Sequence, residues 1–225
     1  MRIYMNAAQA TVFIVGAARE IRLALMPLLE VAGYQVRAFE SAERFLVEHD
    51  ADVPGCLLLD IGLPGMSGLD LQRALVGSKL ARAIIFLTGH GDIESSVQAM
   101  KMGAVDFLTK PIDGAHLLSA IDQAIRLDVA AHRERAICEA IQTRLNVLTR
   151  RERRVMELVI RGLLNKQIAV ELGIQEKTVK VHRMRVMKKM GIRSVANLVR
   201  LVARAGVQLD LSAITEPERL ETARN

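Results

Sequence analysis

Tryptophan is absent from this chain of 225 residues, tyrosine occurs twice, and all aromatics together make up 3%. Proteins that hold single-stranded nucleic acid stack bases on aromatic rings, so the scarcity argues against an RNA reader. Cysteine also occurs only twice. Cys56 lies in an apolar run and Cys138 in a helical stretch, so they offer neither a disulfide framework nor a metal-ligand spacing, as suits a reducing compartment. No stretch approaches the roughly eighteen uninterrupted apolar residues of a membrane span. Residues 1–10 lack an apolar region ending in a cleavage site. The expectation is a cytoplasmic protein without a membrane partner.

A chain of this length suits two domains, each large enough to bury a core. The net charge of +6 hides a strong asymmetry. Residues 1–113 carry 10 basic and 13 acidic side chains, whereas residues 149–206 carry 15 and 4. Such a concentration of positive charge is the footprint of a nucleic-acid partner, since each neutralised phosphate releases counterions. A solvated basic face is the other reading, and charge alone does not choose between them.

Short apolar runs alternate with helical periodicity through the first half. Strands are expected at residues 11–15, 35–39, 56–59, 83–88 and 106–109. Helices are expected at 21–32, 42–47, 69–75, 93–102 and from Gly114. This alternation predicts a doubly wound, five-stranded parallel sheet of the α/β class over residues 11–127. From Gly114 to Leu148 there is no proline, and apolar residues recur at Leu118, Ile121, Ile125, Val129, Ile137, Ile141, Leu145 and Leu148. One long helix would bridge the domains, with residues 128–147 as a helical linker whose stripe assists dimerisation; an ordinary last helix followed by a solvated linker fits too.

Residues 148–206 read as all-helical. Thr149-Arg150-Arg151-Glu152 matches a capping box, and Asn165 is expected to cap residues 166–172. Gly173 then separates a longer basic helix at 176–190, giving a helix-turn-helix unit, and Ser194 caps residues 195–205. Residues 207–225, with Pro217 and several acids, are expected to be disordered.

Chemistry-bearing residues fall at strand ends in the first domain: Asp60, Thr88 and Lys110, with Gly16 after the first strand. Carboxyl ends of strands in open α/β sheets are where sites gather. By itself, an aspartate there serves more often as a turn or cap residue than in chemistry.

The segments LLLDIGLPGMSG, FLTGHGDIESSVQAMKMGAVDFLTKP and LTRRERRVMELVIRGLLNKQIAVELGIQEKTVKVHRMRVMKKMG resemble a two-component response regulator of the NarL/FixJ family, a flavodoxin-like receiver joined to a LuxR-type helix-turn-helix domain. The resemblance implies that Asp60 accepts a phosphoryl group from a sensor histidine kinase. Thr88 would bind its oxygens, Lys110 would neutralise them, and Phe107 would swing inward as the aromatic switch. The Lys110-Pro111 bond resembles the cis peptide of the family. Double-stranded DNA and RNA polymerase are the further partners implied, with a homodimer as the assembly.

After the first strand the family carries an acidic pair that holds Mg²⁺, whereas this chain reads Val15-Gly16-Ala17-Ala18-Arg19, and Glu20 is the only acid nearby. Asp60 and the backbone carbonyl of Gly62 are too few oxygen ligands for such an ion. Each loss of about 1.36 kcal/mol of transition-state stabilisation slows a reaction tenfold. Asp60 facing Lys110 alone would also form a neutral pair without metal. The expectation is weak or metal-independent phosphorylation, with no cofactor required and output depending on a partner, a ligand or expression level. Conventional phosphorylation at Asp60 by a strong cognate kinase is the alternative.

On the basic helix, Lys177, Lys180, Val181, Met184, Arg185 and Lys188 lie opposite the packing residues Val179, Val186 and Met190, with His182 beside that packing face. They form the expected reading face for a major groove. Thr178, Lys166, Asn165, Arg183 and Lys189 are the expected phosphate contacts. Gln175 stands where relatives place a serine cap. The helix carrying Leu198, Leu201 and Val202 resembles the dimerisation helix of the family. An RNA-binding antiterminator and an enzyme using the receiver pocket are competing readings. The first lacks aromatic platforms, and the second lacks a general base, nucleotide loop or metal site, so no catalytic residue is assigned.

Overall fold

The protein is described as a computed structural model covering residues 10–16, 19–78, 81–89 and 93–206. The expectations for Ala17, for the side chain of Glu20, and for the leader and tail at 1–9 and 207–225 lie outside the described residues. The chain divides between Arg133 and Glu134 into two compact units.

In the first unit the order is β1 (Thr11–Val15), α1 (Arg19–Val31), β2 (Gln35–Phe39), α2 (Ala42–Glu48), β3 (Gly55–Asp60), α3 (Gly68–Leu75), β4 (Ala83–Thr88), α4 (Ile93–Lys101), β5 (Asp106–Thr109) and α5 (Gly114–Asn146). The sheet is ordered β2-β1-β3-β4-β5 and is parallel throughout. Every residue of β1 and β3 is buried because helices cover both faces, which is why these strands read as unbroken apolar runs. One core packs α1 and α5 through Leu25, Leu29, Leu117 and Ile121 against Ile14, Leu58 and Ile85. The opposite core places Phe45, Leu71, Leu75 and Ala99 against Phe13, Leu57 and Phe86. β2 and β5 are the edges, five and four residues long, which leaves little unpaired backbone to template another strand.

β3 starts and ends one residue beyond the expected 56–59, so Asp60 is its last residue. Gly68 permits the next step. A Cβ there would lie 2.4 Å from the Asp60 carbonyl oxygen, so only glycine lets α3 start against the end of β3.

At the far end of the sheet, Arg82 donates to the carbonyls of Val53 and Asp50 and lies 3.6 Å from the Asp128 carboxylate. Asp128 also accepts from the Gly55 amide at 2.9 Å, and His132 joins it at 3.3 Å. With the Arg82 and Asp128 side chains 0% and 1% exposed, this buried pair ties α5 to the start of β3.

The second unit holds the end of α5, then α6 (Arg150–Ile160), α7 (Asn165–Leu172), α8 (Glu176–Met190) and α9 (Val195–Arg204). Its core joins Ile141, Leu145 and Leu148 to Val155, Leu158, Ile168, Val179, Val186, Met190, Leu198 and Val202. The expected capping box is present: Thr149 Oγ1 accepts from the Glu152 amide at 3.3 Å and Glu152 Oε2 accepts from the Thr149 amide at 2.9 Å.

One expectation needs correction. Asn165 is not a cap but the first residue of α7; Leu164 is the cap, its amide donating to Gln167 Oε1 at 2.8 Å. On α9, Leu198 and Val202 are fully buried in their own domain. The stripe of α5 supplies Ile121 and Ile125 to the core of the first unit and Ile141, Leu145 and Leu148 to that of the second, while Leu118, Val129 and Ile137 are half-buried. An apolar stripe records that a face is covered, not what covers it. Among the described residues no helix is long and apolar enough to cross a membrane.

Candidate functional site

The sheet order places β3 centrally, between β1 and β4, so its carboxyl end lies where the chain changes winding direction. Asp60 sits there, 9% exposed. Its Oδ2 accepts from Lys110 Nζ at 2.6 Å and its Oδ1 from the Gly62 amide at 3.2 Å, so both oxygens are engaged. Lys110 follows β5, its amide donating to the Thr88 carbonyl at 2.7 Å, and the Lys110-Pro111 peptide is cis. The fold thus joins residues fifty positions apart into one ion pair.

Thr88 ends β4, one residue beyond the partner of Asp60 in the register, and is buried. Phe107 pairs with Phe86 across β4 and β5, their ring centroids 6.4 Å apart, and its ring is half-buried. The four positions expected to act together therefore share one end of the sheet. Gly16, at the end of β1, is buried there too, with φ +77° and its amide donating to Phe39 O at 3.1 Å.

On α8, Val179, Val186 and Met190 are buried, whereas Lys177, Lys180, Val181, Met184, Arg185 and Lys188 are exposed. Met184 is 64% and Val181 40% exposed, so apolar as well as basic side chains line this face. Lys180 pairs with Glu176 one turn earlier at 3.1 Å. Gln175 caps the helix without a side-chain hydrogen bond, leaving its first turn less firmly held. Lys166 and Thr178 flank this face, exposed and half-buried respectively.

Of the other expected phosphate contacts, Arg183 donates to Asn165 Oδ1 at 3.0 Å, so the two hold α7 and α8 together. Lys189 is also committed internally. It pairs with the buried Glu152 at 2.7 Å and donates to Val147 O at 3.1 Å, which ties the end of α8 to the start of α6.

Residues 12–122 match the response regulator receiver domain, and residues 146–202 match the bacterial regulatory proteins of the luxR family. Nodulation protein W of Bradyrhizobium diazoefficiens is 42% identical over 208 residues, 92% of each chain. The chain belongs to the NarL/FixJ family of response regulators. The transcriptional regulatory protein FixJ of the same organism is 39% identical over 199 residues, covering 88% of this chain and 97% of that one. The solved response regulator StyR superimposes with a TM-score of 0.76 at 45% identity, over 87% of this chain and 99% of that one. This regulator is thus a DNA-binding transcriptional response regulator, and its receiver implies a kinase partner.

The described residues at its receiver site do not fit the metal that the family implies. Gly16 supplies no carboxylate, and Asp60 spends one oxygen on Lys110 and the other on the Gly62 amide. Mg²⁺ demands near-octahedral oxygen coordination, and among the described residues no group of three acids, histidines or cysteines could hold an ion.

Two features of the regulator escaped sequence reasoning. The Arg82–Asp128–His132 cluster had no signal, because its members are ordinary charges separated by up to fifty positions. Leu63 had a faint one, an apolar residue in the turn directly after Asp60. Its side chain packs back against the α2–α4 side of the sheet.

Proposed function

We propose that Asp60 is the phosphoacceptor position of this regulator, and that its phosphorylation is weak or independent of metal. Thr88 and Phe107 serve as the switch and Lys110 as the neutralising cation. The Asp60–Lys110 pair at 2.6 Å carries the reading, because it balances the pocket charge with no further cation. Incubation with a small phosphodonor, followed by phosphate-affinity electrophoresis, tests it. Slow modification of similar extent with and without Mg²⁺ is expected; rapid, stoichiometric, Mg²⁺-dependent modification of Asp60 overturns it. The conventional alternative is favoured by one observation, the presence of Thr88, Phe107 and Lys110 at the same sheet end.

DNA is read by the exposed side of α8, with Lys177, Lys180, Arg185 and Lys188 facing base edges or phosphates and Val181 and Met184 meeting thymine methyls. Lys166 and Thr178 contact phosphates. The receiver controls this binding through a homodimer, whose two copies match two half-sites. RNA polymerase is the downstream partner, the cytoplasm is the working compartment, and no catalytic activity is assigned. Duplex gel shifts with steep salt dependence support the reading, and equal affinity for single-stranded RNA overturns it.

A further inference from the structure

We infer that the metal subsite of this receiver is closed as well as short of ligands: Leu63 fills the space that an acidic side chain after β1 would enter. The inference rests on the reading of Asp60 as the phosphoacceptor position, and it assigns Leu63 as the residue that keeps divalent cations away from that carboxylate.

Three observations converge on it. A Cβ placed on Gly16 would stand 1.8 Å from Leu63 Cδ2 and 3.3 Å from Asp60 Cβ, so the Leu63 methyl lies where the first carbon of an aspartate would begin. Leu63 is held in that place by the core it packs against, and Gly16 has φ +77°, where any other residue is strained. Arg22 donates from Nη1 to the Gly16 carbonyl at 3.4 Å, which brings a guanidinium to the end of β1 where the family places anions. An apolar plug excludes the waters that Mg²⁺ retains when it binds. Restoring the two acids by substitution is therefore not enough. The subsite opens only when Leu63 is also cut back.

The test uses the full chain and reads metal binding, not phosphorylation, so its failure is distinct from failure of the proposed function. In the native protein, NMR is expected to show a nuclear Overhauser contact between the Leu63 δ-methyls and the Gly16 α-protons that persists in a large excess of Mg²⁺. With Mn²⁺ as the probe, the Gly62 amide resonance should stay sharp in the native chain and in the G16D/A17D variant. It should broaden in G16D/A17D/L63A, at Mn²⁺ concentrations lower by about tenfold or more, equivalent to about 1.4 kcal/mol. Loss of the native contact on adding Mg²⁺, or broadening in the native chain, overturns the inference. So does equal broadening in the double and triple variants. If the substituted chains do not fold, the native contact and its response to Mg²⁺ still decide.

Discussion

Glu152 does more for this regulator than cap a helix. Its carboxylate, 3% exposed, accepts from Lys189 at 2.7 Å and from the Thr149 amide at 2.9 Å. Those two hydrogen bonds, the lysine first, hold its pKa at about 2. Because the folded value lies below the unfolded one of 4.5, this contribution is fully present above pH 4.5 and is lost as pH falls toward 2. Glu152→Ala should cost the DNA-binding domain about 2 kcal/mol in urea melts at neutral pH, combining a lost cap with an unpaired lysine. The loss should shrink as pH drops below 4.5. At the receiver pocket, Lys110→Met leaves a nearly buried carboxylate without its cation. It should destabilise the receiver by about 2 kcal/mol. The double variant D60N/K110M should regain most of that loss, and strict additivity in the double-mutant cycle would show that the pair is not coupled.

Among the elements, α9 shows how a periodic pattern is divided between core and surface. Leu198, Leu201 and Val202 promise an apolar face, but 198 and 202 are 0% exposed and pack in the core with Val155 and Ile141. Val199, 39% exposed, is the large apolar residue that α9 leaves outside. Leu198→Ala should therefore cost about 2–4 kcal/mol of domain stability in denaturant melts. Val199→Asp should leave stability within about 0.5 kcal/mol and, if α9 forms the dimer, should shift sedimentation toward the monomer. On α8, Lys188→Ala should weaken DNA binding across sequences and lower the salt slope of log K by about one if Lys188 meets a phosphate. A base contact would instead relax preference at one position. The strands, the helix-turn-helix unit and the Thr149 cap were legible because each depends on residues near in sequence. Asn165 misled for the same local reason. Asparagine is a favoured cap, but here Gln167 reaches the Leu164 amide and Asn165 serves Arg183 from α8.

At the scale of the whole molecule, the regulator has separate cores that answer differently to acid. In the receiver, the His49 ring stacks on Phe45 at 4.1 Å, and its Nδ1 meets the Phe45 carbonyl at 2.7 Å. Burial first, then the nearby Arg82 and Arg37 charges, hold its pKa below the ordinary 6.5, against the Phe45 carbonyl that favours its proton. The unfolded chain takes up that proton first, so the receiver loses stability as pH falls from 6.5 through the lowered folded value. The second unit keeps its Glu152 contribution until about pH 4.5. Calorimetry on the intact chain should show the receiver transition moving to lower temperature first on acidification. A His49→Phe variant should lose that early response. Coincident movement of both transitions would argue against two independent sources.

Local pattern alone gives the succession of strands and helices, the basic segment, the candidate positions Asp60, Thr88, Phe107 and Lys110, and the absence of an acidic pair after β1. Periodicity, capping chemistry and charge are properties of neighbouring residues, so they survive without coordinates. Which partners those residues took was settled by the folded chain. It brought Lys110 to Asp60, turned Lys189 inward to Glu152, covered Leu198 and Val202, and set the Leu63 methyl against Gly16. Each of these depends on contacts between distant segments, and close packing leaves a side chain one place to go only after the whole fold has formed.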